Sequence, residues 1–168
     1  FNPRTPEAPY VKSNVRFVAA DVAPQLGPGD LILSTHPEQI PLIYHYMQEF
    51  GARGPRYATE LGFMTDAQVF DWRDAVERLR RTRVSRDLTP MLDALAVSRK
   101  LYLIRPVVSR KIEWVAPWTS LVKRRSAQWI HAIDGDSRFK RIHVSNAFLQ
   151  VGHRNGAVQG RLYVKTRR

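Results

Sequence analysis

Six consecutive residues, Ser34-Thr35-His36-Pro37-Glu38-Gln39, set two hydroxyls, an imidazole, a carboxylate and an amide in one short segment. They follow the apolar run Leu31-Ile32-Leu33, which suits a strand buried on both faces. A helical stretch to about Phe50 comes next. A loop between the carboxyl end of a strand and a helix is where open α/β sheets bind ligands. Free backbone N–H groups and hydroxyls at such a turn can hold an anion. The competing use of the same residues is a capping box between Thr35 and Glu38 with ordinary turn chemistry around it. The segment is neither a Walker loop nor GxGxxG, so nucleotide binding has no motif behind it. A general base at His36 needs a carboxylate partner, and spacing names none.

Two other constellations stand out. Asp71-Trp72-Arg73-Asp74 places two carboxylates and a guanidinium on one helical turn, for acid–base work or for charge balance on a solvated face. Lys123-Arg124-Arg125 lies between Trp118 and Trp129, a composition shared by membrane interfaces and nucleic-acid surfaces. The stripe spacing sets both tryptophans on the side of Val122, in the core, and turns the basic residues outward. Arg78, Arg80, Arg81, Arg83 and Arg86 form a second basic cluster. The five histidines, His36, His45, His131, His143 and His153, include no pair at metal-binding helical spacing. There is no GxSxG elbow. The absence of cysteine excludes disulfides, thiolate metal sites and cysteine nucleophiles. No catalytic residue, metal or other cofactor is assigned.

These residues need elements to position them. Residues 1–12 carry three prolines and read as an extended tether. One α/β domain is expected over 13–168. A helix from a Ser13 cap stops at Pro24 and Gly27-Pro28-Gly29. Strands are expected at 31–33, 56–59, 101–104, 141–145 and 161–165. Pro41 sets the start of the second helix near Gln39. Thr65-Asp66-Ala67-Gln68 reads as a capping box opening an amphipathic helix with Val69, Trp72, Val76 and Leu79 on one stripe. Thr89-Pro90 starts a helix to Val97. Pro117 opens another, with Trp118, Val122, Trp129 and Ile133 on one stripe and Gly135 as its stop. Alternating strands and helices predict a three-layer, Rossmann-like sandwich around a mixed, mainly parallel sheet of about five strands, the last two forming a hairpin.

Lys and Arg total 27 against 15 acids, a net charge of +12, which attracts nucleic acid, anionic lipid or phosphorylated ligands without choosing among them. No apolar run approaches the ~20 residues that cross a bilayer. The chain opens on Phe1, which leads us to expect a processed or excised piece of a longer protein.

Four segments carry a family likeness: PGDLILSTHPEQIPLIYHYM (28–47), RYATELG (56–62), DWRDAVERL (71–79) and APWTSLVKRRSAQW (116–129). Together they resemble the C-terminal region of polytopic actinobacterial membrane glycosyltransferases of the GT-C class, which use polyprenyl-phosphate sugars, as mannosyltransferases do. The resemblance covers about residues 12–168. In enzymes of that class the catalytic acid lies in an early extracytoplasmic loop of the membrane part, and no segment here matches that loop. The resemblance therefore implies an accessory domain on the extracytoplasmic face of the membrane, joined to a membrane-embedded part of the same polypeptide. Its role would be to bind acceptor glycan or a polyprenyl-phosphate-linked sugar, or to cover the active site. On this reading an anionic or sugar group sits near Ser34, Thr35, His36 and Gln39. Trp72, Arg73 and Trp114 are further sugar contacts, and Lys123, Arg124 and Arg125 face anionic lipid. Two rivals remain. One is a basic nucleic-acid-binding domain, which lacks any helix-turn-helix, RRM or KH signature. The other is a stand-alone Rossmann-like hydrolase or transferase working at the 34–39 loop.

Overall fold

A computed structural model describes residues 13–107, 116–147, 149 and 157–168. The 1–12 tether and Trp114 lie outside them. Among the described residues, helix α1 spans Val15–Val22, β1 Leu31–Ser34, α2 Ile40–Glu49, β2 Arg56–Thr59 and β3 Gly62–Phe63. Then come α3 (Ala75–Arg81), α4 (Thr89–Ala94), β4 (Lys100–Pro106), α5 (Pro117–Asp134), β5 (Phe139–Ser145) and β6 (Val158–Lys165).

The strands form one sheet in the order β3-β2-β1-β4-β6-β5. Only β1·β2 and β1·β4 are parallel; β2·β3, β4·β6 and β5·β6 are antiparallel. The sheet is thus mixed, as expected, but it has six strands and is mostly antiparallel. The extra strand is β3, two residues long and too short to leave an alternating pattern. Gly62, at φ 115°, lets the chain reverse straight after β2.

Strand alternation divides the interior between the two faces. Ile32, Tyr57, Tyr102, Ile104 and Leu162 point to one side and meet Val15, Val18 and Val22 of α1 and Ile40, Ile43 and Met47 of α2. Leu31, Leu33, Leu101, Leu103 and Tyr163 point to the other and meet Met91 and Leu92 of α4 and Trp129 and Ile133 of α5. Helices therefore cover both faces, giving the three layers. Two close fits fix the first face. The Asn14 side chain donates to Val158 O (2.7 Å) and accepts from Val158 N (2.8 Å), tying the start of α1 to β6. The Tyr102 hydroxyl donates to Val18 O (2.7 Å), and the Tyr102 ring passes so close to Gly160 that a Cβ there would overlap it.

The amphipathic helix expected from Thr65 is largely absent. Only Ala75–Arg81 is helical; Val69 is 59% and Trp72 57% exposed. Local side-chain bonds compete with the helix here. Asp66 Oδ1 accepts from Gln68 N (2.9 Å), and Asp71 Oδ1 accepts from Arg73 N (3.0 Å). Asp74, at φ 50°, turns the backbone into the left-handed region immediately before α3.

Candidate functional site

The 34–39 loop lies where the topology places a ligand crevice. After β1 the chain crosses to β2 on one side and later returns as β4 on the other. The polar groups of Ser34, Thr35 and His36 are turned inside the molecule. Ser34 Oγ donates to His36 O (2.8 Å), and His36 N donates to Ser34 Oγ (3.2 Å). Thr35 N donates to Ile104 O (2.9 Å), and the Thr35 and Ser126 hydroxyls meet at 2.9 Å. His36 Nε2 lies 3.1 Å from Glu38 Oε1. The Thr35–Glu38 capping box does not form, because Thr35 bonds across to α5 and Glu38 turns to His36. Ser34 and Thr35 are wholly buried, His36 is 2% exposed and Gln39 is half-buried.

A second carboxyl joins them. Glu60 follows β2 at the same sheet end and is wholly buried, with neither oxygen hydrogen-bonded among the described residues. Burial pushes its pKa up to about 8; its own backbone N–H and Arg125 pull the other way, and the Glu38 charge adds to the rise. For Glu38 burial also raises the pKa, but the His36 hydrogen bond and charge, with help from the Trp118 indole, outweigh it and hold it below the usual range. At neutral pH one carboxyl is protonated and its neighbour ionised, beside an imidazole. Acid–base sites share that pattern. Here His36 and Glu60 are closed to solvent and only the Glu38 side chain is partly exposed, at 20%, and the cluster joins the ends of β1 and β2 to α5.

The open chemistry lies one layer out. Trp118, half-buried at the first turn of α5, carries on its outer side an aromatic platform. Trp72 meets Trp118 edge-on at 5.3 Å between centroids and Phe70 at 4.8 Å; Phe70 and Trp118 are 5.8 Å apart. Beside it the Arg73 guanidinium grips Asp71 in a two-pronged bond, Nε–Oδ1 3.0 Å and Nη2–Oδ2 2.8 Å. This bond, more than any other cause, holds the Asp71 carboxyl far below its ordinary range. Arg78 Nη1 donates to the Asp71 and Arg73 carbonyls, fixing the turn. A groove of about 290 Å³ adjoins the platform, bounded by Phe63, Thr65, Asp66, Val69, Phe70 and Arg78 among others.

The structure thus brings Trp72 and Arg73 to one exposed turn and puts Ser34, Thr35 and His36 in the interior. Lys123 and Arg124 are exposed, as expected. Arg125 is half-buried and turns inward instead: Nε donates to Leu79 O (3.2 Å) and Nη2 to Arg80 O (2.7 Å), capping the carbonyl end of α3. Trp129 is wholly buried. Sequence reasoning missed Glu60, Ser126 and the Phe70–Trp118 pairing. Glu60 had a signal, since it directly follows an expected strand, as Ser34 does. Among the described residues no group of histidines and acids is placed to hold a metal ion, and no helix is long and apolar enough to cross a membrane. Comparison with protein-family models, curated proteins and solved structures gives no match.

Proposed function

We propose that this chain is an extracytoplasmic accessory domain of a membrane-bound glycosyltransferase, and that it holds acceptor glycan on the Trp72 platform. The membrane context rests on the resemblance of the four segments. The observation that carries the binding role is Trp72, a large indole left 57% exposed yet braced by two aromatic neighbours. Exposed, immobilised aromatic faces are costly to keep in water and mark binding surfaces. A sugar ring presents an apolar face of C–H groups to such an indole and hydroxyls around its rim. Asp71, Arg73 and Asp66 supply the acceptors and donors that those hydroxyls need. Their mutual bonds keep the polar rim rigid, which lowers the ordering cost of binding. The burial of His36 and Glu60 supports a non-catalytic role, since of the His36–Glu38–Glu60 cluster only Glu38 reaches solvent, at 20% exposure.

Titration with neutral oligosaccharides, followed by tryptophan fluorescence, tests the reading. Binding should change the emission and should weaken at least about tenfold in Trp72→Ala, the loss expected when a central aromatic anchor is removed. Undiminished binding by that variant would overturn the assignment of the platform.

A further inference from the structure

The two basic clusters, separate in sequence, become one surface. Helices α3 and α5 pack through Leu79, Leu121 and Val122, and Arg125 reaches across to the end of α3. Arg80 pairs with Glu77 and Arg86 with Asp87. Among the described residues Arg81, Arg83, Lys123, Arg124 and Arg125 have no carboxylate within ion-pair distance. Between the turn after α3 and the middle of α5 lies an open groove of about 530 Å³. Arg83, Arg125, Gln128 and His131 supply its polar wall; Thr82, Val84 and Ala132 complete it, with no acidic residue.

Capping the carbonyl end of α3 explains one cation, and Arg125 is that cation. It does not explain the others. Burial and then the charges of Arg83 and Arg124 disfavour the Arg125 cation. The nearest buried acid, Glu60, is held protonated at neutral pH and offers little relief. Like charges are therefore gathered around a concave surface whose wall holds no carboxylate; Asp87, which accepts from Arg83 N (2.7 Å), is paired with the Arg86 guanidinium. Arg125 is also held still. Three of its five N–H groups go to Leu79 O, Arg80 O and Gln128 Oε1, leaving two for a ligand. Arg83 uses only Nη1, on Arg80 O and Thr82 O. Fixed guanidinium forks suit the oxygen geometry of a phosphate group.

We propose that this groove is a binding site for a phosphate or diphosphate group, held by Arg83, Arg125 and His131. It shares no residue with the Trp72 groove and does not depend on the glycan reading. Amide NMR of the chain at constant ionic strength tests it, with pyrophosphate as the soluble probe. Phosphatidylcholine vesicles with and without phosphatidylglycerol supply the lipid-borne phosphate. Shifts confined to residues 82–84 and 125–132 are expected with pyrophosphate, or vesicle binding that requires phosphatidylglycerol; which arm responds identifies the source. Arg83→Gln and His131→Gln sit on the exposed rim and leave the Arg125 bonds to the end of α3 in place. Together they should weaken binding at least about tenfold, the worth of one lost charge-assisted hydrogen bond. Thermal melts confirm that they fold. Lack of response in both arms overturns the proposal. So does equal loss in Lys123→Gln/Arg124→Gln, which would mean diffuse attraction to the whole face.

Discussion

The crevice at the end of β1 and the turn before α3 invert the usual relation between order and access. At the crevice, a site that topology marks for ligands has been closed: Ser34, Thr35, His36 and Glu60 bond to or lie among one another, and solvent is shut out. At the turn, an irregular segment keeps a large indole in water and fixes it with ring contacts and a two-pronged ion pair. The lesson is that chemical richness and availability are separate properties. The polar residues most suggestive of chemistry serve the fold, and the surface available for binding is made of residues whose helix failed to form.

If that division holds, substitutions in the interior should cost stability and those on the turn should not. The largest effect is expected at Trp129, wholly buried against the sheet. Trp129→Ala should lower unfolding free energy by about 3–5 kcal/mol in urea titration. Gly160→Ala forces a methyl into the Tyr102 ring and should cost about 3 kcal/mol by the same measurement, because neither β6 nor Tyr102, bonded to Val18 O, can move away. Lys165 is buried, and its ammonium donates to Leu92 O and Leu95 O at 2.7 Å each. Lys165→Met leaves those carbonyls without a donor and should cost about 2 kcal/mol.

Glu60 sharpens the comparison through pH. Its carboxyl is raised in the folded chain to about 8 from an ordinary 4.5. Between those values the folded state holds a proton that the unfolded chain has lost, so stability falls as pH rises through the interval and levels off above it. The fall should amount to a few kcal/mol, on the scale of 1.4 kcal/mol per pH unit. Glu60→Gln should flatten this slope in urea titrations run from about pH 5 to 9. A slope unchanged in the variant would show that Glu60 is ionised or reachable by water. The smallest stability effect belongs to Trp72→Ala, about 1 kcal/mol or less, from lost ring contacts alone.

Much of the frame could be read from residue pattern. The short apolar runs at 31–33 and 101–104, with the strand-like segment 56–59, mark the parallel centre, and the long stripe from Trp118 to Ile133 marks α5. Periodicity could not show β3, which is too short to have a period. It also misread 65–74, where Val69 and Trp72 keep helical spacing while Asp66 and Asp71 bind their own backbone. The site was legible in residue type but not in exposure. Trp72 and Arg73 stand out by composition. The closure around His36 depends on its neighbours in the loop, Thr35, which meets Ser126 of α5, and Glu38, which lies near Glu60, and neither pairing can be read from local pattern.

The central claim is that binding belongs to the turn and structure to the crevice. Oligosaccharide affinity measured in parallel for Trp72→Ala and a folded His36→Asn variant tests it most directly. The account predicts that the first loses at least about tenfold in affinity and that the second matches the parent chain. Loss of affinity in His36→Asn, with Trp72→Ala unaffected, would contradict it.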